Sequence, residues 1–310
     1  MKRIVCAACF ICMILLTVFG LYLENRPDNP GEPVYYRFSH KGLSLNVIAV
    51  RPDRILLTTV RQEGDIKAGG FCGINGGYFA MAGSAIPGPL CIAINDGVPV
   101  RAPGLRAGSA DPYQNTGWYN AWGNAEGAAT IVYDKLSGEL KCLCVKSGYE
   151  IPAYVASAGS YWAQGGIDLA LGNPGWLETM RQQGLTDYLE TAVTYRSAMG
   201  FRDGTVYLFA SENQSGLAAF RDAVASCLGV GPKPSTPEPA AASGSGLAAP
   251  ARPDDARNKS ASARHAILLD GYLCSQMLAV KKGGETFDGS RDCSLEEIIA
   301  VTGWNHAAVD

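Results

Sequence analysis

Three short stretches carry side chains able to do chemistry: Asn75-Gly76-Gly77-Tyr78-Phe79, Arg196 ahead of Ser197-Ala198-Met199-Gly200, and Asp270-Gly271 at the end of an apolar run. Glycine reaches positive φ without steric cost and lets a ligand or another backbone come close. The pair after Asn75 therefore reads as a tight bend exposing main-chain N–H groups. Asn75 would offer its amide to a ligand there, with Tyr78 and Phe79 as an apolar or stacking wall. The same Asn-Gly pair is also the strongest short signal of a plain hairpin turn. Arg196 presents a planar fork of donors that suits phosphate or carboxylate, or else closes a strand as a solvated or salt-bridged residue. Asp270 sets a carboxylate at the C-terminal edge of the run 266–269, where functional groups tend to sit, or caps a turn. Ser275 and Gln276 follow it.

The elements that would position these groups are mostly strands. Apolar runs at 43–50, 55–60, 90–94, 130–133, 140–145 and 206–210 alternate with polar turns. Asp96-Gly97 and Asp203-Gly204 are hairpin signals, the second placed directly after the Arg196 stretch. Helix-like spacing is confined to 177–189 and 218–228. The expectation is a mixed α/β (α+β) domain with hairpin-rich sheets and a few packing helices. Residues 101–126 hold Tyr113, Trp118, Tyr119 and Trp122 without a clean period, as a sugar-stacking loop or as loop packing.

The N-terminus sets the compartment. Lys2 and Arg3 precede an uncharged, mostly apolar run over 4–23, which at about 1.5 Å per residue approaches the thickness of a bilayer core. Residues 1–23 are read as a signal-anchor or a cleaved signal peptide, with the positive end inside. The domain then lies outside the cytoplasm, membrane-anchored through this N-terminal segment or secreted if it is cleaved. Residues 24–33 have the Asn, Asp, Pro and Gly content of a tether, and 34–310 form the domain. Within it, 231–264 is dominated by Pro, Ala, Ser and Gly and reads as a disordered insertion, since it can bury little apolar surface.

Other functions fall away on composition. A net charge of −3 with scattered Lys and Arg gives no footprint for nucleic acid. No repeat of roughly 20–50 residues recurs, which argues against a solenoid or propeller. Outside the leader stand Cys72, Cys91, Cys142, Cys144, Cys227, Cys274 and Cys293, an odd number, so at least one stays unpaired if others bridge. With three histidines and no C-x-x-C, a zinc site has no support in the sequence, and buried thiols serve as small apolar residues.

Taken together and in order, the three stretches resemble the phosphodiester glycosidase family, which includes the lysosomal uncovering enzyme and bacterial exported proteins. That family carries N-G-G-[FY]-F, then R-[ST]-A-[IM]-G before a D-G hairpin, then a Gly-Leu helix leading to L-D-G-G-x-S-S. The matching residues are Asn75 to Phe79, Arg196 to Gly200 with Asp203-Gly204, Gly216-Leu217, and Leu269 to Gln276. The resemblance implies hydrolysis of a sugar-1-phosphodiester, releasing a sugar such as N-acetylglucosamine. Arg196 would support the phosphate electrostatically, and the N–H groups of Gly76 and Gly77 would form an anion-receiving nest. Asp270 would act as base or nucleophile, or hold a divalent cation; no cofactor is otherwise implied. Glu212, which follows a strand, is the candidate second carboxylate. Asn75, Gly76, Gly77, Tyr78, Ser275 and Gln276 would line the sugar phosphate or glycan. The chain departs from the family at Tyr272, Leu273 and Cys274, where a large ring replaces glycine and would fill or reshape the pocket. That departure raises the alternative of a catalytically inactive glycan-binding or envelope and exopolysaccharide assembly protein.

Overall fold

The computed structural model describes residues 32–103, 111–122, 127–230, 264–281 and 283–304. The apolar leader, nearly all of the tether and the Pro/Ala/Ser stretch apart from Arg264 lie outside the described residues. No helix among the described residues is long and apolar enough to cross a membrane.

Among the described residues, three antiparallel sheets of five or six strands make up the fold. The first runs in the order β1 (Val34–His40), β2 (Leu43–Val50), β14 (Thr205–Ser211), β13 (Ser197–Arg202), β15 (His265–Leu268), β12 (Ile167–Asp168). The second runs β10 (Glu139–Val145), β9 (Ala128–Asp134), β11 (Tyr161–Gly165), β7 (Ala93–Asn95), β8 (Val98–Pro99). The third runs β17 (Thr286–Asp288), β16 (Met277–Val280), β4 (Gly73–Asn75), β18 (Glu297–Val301), β3 (Ile55–Thr59). A ribbon of β5 (Phe79–Ala80) and β6 (Gly88–Pro89) stands apart from them.

The inner strands of the first sheet are buried on both faces, which explains why β2, β13, β14 and β15 read as nearly continuous apolar runs, whereas the edge strand β1 is only partly buried. Successive side chains point to opposite faces. Along β2, Ile48 and Val50 join Ile131 and Trp162 of the second sheet and Ile74 and Ile299 of the third in one central core. Leu43, Leu45 and Val47 face the other way, in a second core with the helices. Those helices are α1 (Trp176–Gln182), α2 (Asp187–Thr191) and α3 (Leu217–Cys227). Leu217, Phe220, Ala223 and Val224 share one face of α3 at helical spacing and are buried against the sheet.

Local turn chemistry set two of the hairpins. Asp96 and Gly97 both adopt positive φ, at 49° and 72°, and Asp203 and Gly204 do the same at 50° and 75°. Two such residues suit the right-handed twist of the strands they join. The expected single helix over 177–189 is instead α1 and α2, because Gly184 turns to φ 94° and ends the first. Thr186 restarts the chain as a cap, its side chain accepting from the Leu189 N–H.

Candidate active site

The Gly76-Gly77 stretch is not a turn. Asn75 ends β4, which pairs with β16 and β18 rather than folding back on the residues after it. Neither glycine is among the positive-φ residues. Both are required by close approach instead. A Cβ on Gly76 would lie 2.5 Å from Glu297 Cδ and 2.7 Å from its Cβ, and one on Gly77 would lie 2.8 Å from Cys91 Cβ. The main chain at Gly76 also ties two strands to this point: its N–H donates to the Glu297 carbonyl at 2.8 Å, and its carbonyl accepts from the Asp270 N–H at 3.2 Å.

Asn75 is a clamp rather than a ligand-binding lip. It is 1% exposed. Its Nδ2 donates to the Asp270 carbonyl at 2.9 Å, to Ser197 Oγ at 2.9 Å and to the Gly76 carbonyl at 3.1 Å, while Oδ1 accepts from the Gln276 N–H at 3.1 Å. The Ser197 hydroxyl donates to the same Asp270 carbonyl. Gln276 is likewise built into the frame: its Oε1 accepts from the Ile66 N–H at 3.1 Å and its Nε2 donates to the Cys293 carbonyl at 2.8 Å. The Ser275 hydroxyl is buried without a hydrogen-bond partner.

These contacts bring the ends of β4, β13, β15 and β18 together around the main chain of Asp270 and Gly76. Asp270 Oδ1 accepts from the Gly271 N–H at 2.8 Å. The residue keeps partial exposure at the surface, but burial of the carboxyl dominates and pushes its pKa up to about 7, against the Gly271 N–H. Such a group gains and loses a proton near neutrality. Tyr78 stands beside it, buried and stacked on Trp122 with centroids 4.6 Å apart. Burial holds the Tyr78 hydroxyl well above its usual range, with the charge of Asp270 adding to that and Arg196 opposing it. Phe79 is in the β5–β6 ribbon, paired with Pro89.

Arg196 reaches the neighbourhood with Nε and one terminal nitrogen already engaged. It is 2% exposed. Nε donates to the Ser215 carbonyl at 3.3 Å, and one terminal nitrogen donates to the carbonyls of Leu189 and Ala192 at 3.0 and 2.6 Å. Burial draws its pKa down, partly offset by Tyr78. The guanidinium thus pins α2 and the bridge at Ser215 to β13. Glu212 lies away from this cluster, paired with Arg37 at the partly exposed end of β14.

The loop after Asp270 also differs from expectation. Tyr272 opens a 3-10 turn at φ 60°, with its ring 56% exposed rather than filling a pocket. Cys274 is disulfide-bonded to Cys293, tying this turn to the segment before β18. Cys72, Cys91, Cys142, Cys144 and Cys227 form no disulfide. The aromatic stretch near 113–122 packs largely on itself and on Tyr149, with Trp118 and Tyr149 edge to face at 4.9 Å. Among the described residues, no group of three or more His, Cys, Asp or Glu is arranged to hold a metal ion.

A second buried carboxyl escaped sequence reasoning. Glu297 opens β18 and Glu296 directly precedes it, and alternation sends the two to opposite faces. Glu296 is satisfied by Arg101 at 2.8 Å, Gln62 at 2.9 Å and the Thr59 hydroxyl at 3.1 Å. Glu297, 2% exposed, has no hydrogen bond of normal geometry to either oxygen. Burial pushes its pKa up to about 8, with the Gly77 N–H and the Gln164 amide only partly offsetting it and Glu296 adding to it. Two acids at the head of an apolar strand were the signal available in the sequence. The expected anion nest at the bend is thus faced from inside by the chain's own acid.

No family model matches the chain, and no curated protein matches it. Among solved structures, the zebrafish N-acetylglucosamine-1-phosphodiester alpha-N-acetylglucosaminidase catalytic domain, auto-inhibited by pro-peptide, is similar with a TM-score of 0.51 and 14% identity, covering 89% of this chain and 85% of that one. A hypothetical protein from Synechocystis aligns with a TM-score of 0.42 and 17% identity, over 86% of this chain and 61% of that one. The chain therefore shares the fold of the zebrafish catalytic domain.

Proposed function

We propose that this protein hydrolyses a sugar-1-phosphodiester outside the cytoplasm, freeing the sugar from a phosphate that stays on its other substituent. The observation that carries the reading is the Asp270 carboxyl, held at the end of β15 with one hydrogen bond and a pKa of about 7. It stands beside Tyr78, on a fold shared with a phosphodiester glycosidase domain. In this reading Asp270 is the acid–base group. A phosphodiester is a weak base as a leaving group and needs electrostatic support more than strong acid assistance. The test is release of sugar from N-acetylglucosamine-1-phosphodiesters by the purified protein. Asp270→Asn should lower turnover at least about a hundredfold while leaving the fold intact; equal turnover in both proteins would sink the reading.

A second reading, a glycan binder without turnover, is favoured by a specific observation. Nε and one terminal nitrogen of Arg196 are held by main-chain carbonyls and the Gly76 N–H by the Glu297 carbonyl, which leaves a reduced set of donors for a phosphate. Binding of a sugar phosphodiester with no product formed over prolonged incubation would select it.

A further inference from the structure

Glu297 is poorly explained as an anion. Its two oxygens are buried without a hydrogen bond of normal geometry, supported in part by the Gly77 N–H and the Gln164 amide, and Gln164 Oε1 is a buried acceptor that also lacks a donor. Leaving an ionised carboxylate unpaired away from water costs far more than burying its neutral form. The titratable groups around it do not help. Glu296, directly before β18, is an acid already paired with Arg101. The Cys91 thiol, below Gly77, is kept neutral by burial and is raised further by the charges of Glu297 and Asp270. Asp270 and Arg196 act on Tyr78, beyond the bend. From β11 comes Gln164, which does not titrate.

The side chain is also the floor of the bend. Gly76 passes so close that even a methyl group there would overlap Glu297 Cβ, Cγ and Cδ. The same Gly76 carbonyl anchors the Asp270 N–H. Pressure from Glu297 is therefore transmitted to Asp270 through a single residue.

We propose that Glu297 is a positioning residue of the Asp270 site: as a neutral acid it seats the Gly76-Gly77 bend that anchors Asp270, and loss of its proton releases that bend. Ionisation sends a proton to solvent and leaves a buried negative charge that only displacement of the bend can hydrate. The consequence for turnover rests on the glycosidase reading, but the displacement itself does not.

The experiment is hydrogen exchange of the full chain, read on the peptide covering residues 72–80 at about pH 6 and about pH 9 and normalised to intrinsic exchange. Wild-type protection should fall at least about tenfold at the higher pH, while Glu297→Gln, neutral throughout, keeps it. The same pH dependence in both proteins would overturn the proposal. An infrared titration of Asp270→Asn covers the case in which Glu297→Gln fails to fold. It should show a protonated carboxyl band at neutral pH that disappears on the alkaline side, and absence of that band would equally overturn the proposal. Neither readout depends on activity, so lack of hydrolysis would count against the glycosidase reading alone.

Discussion

Asn75 and Asp270, 195 positions apart in the chain, are joined by a hydrogen bond of 2.9 Å from the Asn75 amide to the Asp270 carbonyl. The bond crosses from the third sheet to the first. It leaves the Asp270 carboxyl free to point elsewhere while its main chain is held by Asn75, Ser197 and Gly76.

Asn75→Ala removes the donor to two carbonyls and a hydroxyl and the acceptor for the Gln276 N–H. Buried groups left without partners cost roughly 2–4 kcal/mol in total. Thermal unfolding should show a melting temperature lower by about 5–15 °C. A variant of unchanged stability that loses ligand binding would mean that Asn75 serves the ligand after all.

Arg196→Lys keeps the charge but cannot reach the carbonyls of Ser215, Leu189 and Ala192 together. A loss of about 2–4 kcal/mol in stability is expected, since hydrogen bonds from a charged donor contribute about 1.5–3 kcal/mol each and lysine recovers part of them. Denaturant unfolding measures it. A selective rise in KM with stability intact would assign the guanidinium to phosphate instead.

The pH dependence of stability separates Glu297 from its replacement. Its folded pKa of about 8 lies above the ordinary value of 4.5, so the folded state binds more protons between those values. Stability is then greatest below about pH 4.5 as far as this group is concerned, and declines as pH rises toward about 8. Glu297→Gln should remove this decline and exceed wild type by a few kcal/mol near pH 8. Parallel unfolding curves across pH for the two proteins would contradict it.

If Asp270 acts as a base in hydrolysis, kcat/KM should rise with pH on a limb whose midpoint lies near 7, because only the ionised carboxylate accepts a proton. The same raised pKa makes stability fall between about pH 4 and 7, a loss that persists above, as the folded form gives up the proton at higher pH than the unfolded one. A limb centred near pH 4 would place the titrating group elsewhere.

Gly76→Ala should be destabilising through overlap with Glu297, and Glu297→Gly, which also removes the Cβ at 2.7 Å, should relieve it. A double-mutant cycle should return a coupling of about 1–3 kcal/mol. Additive losses would mean that the two side chains do not share the space.

Much of the frame was legible locally. The Asp96-Gly97 and Asp203-Gly204 hairpins follow from residues that take positive φ in place, and α3 from apolar spacing along one face. The Asn75, Arg196 and Asp270 stretches, linked by the family resemblance, meet in the structure through Asn75, Ser197 and Asp270. What those residues do was decided only by tertiary structure. A glycine pair reads alike whether it supplies positive φ or close approach, and the second depends on Glu297, more than two hundred positions away. An arginine fork reads as a phosphate grip until the carbonyls of Leu189, Ala192 and Ser215 fall within its reach. Glu212 and Glu297 have the same side chain beside an apolar strand, yet one pairs with Arg37 near the surface and the other is sealed under Gly76. Propensity and turn geometry act over a few residues, whereas desolvation and hydrogen-bond satisfaction depend on which distant segments the sheets bring together.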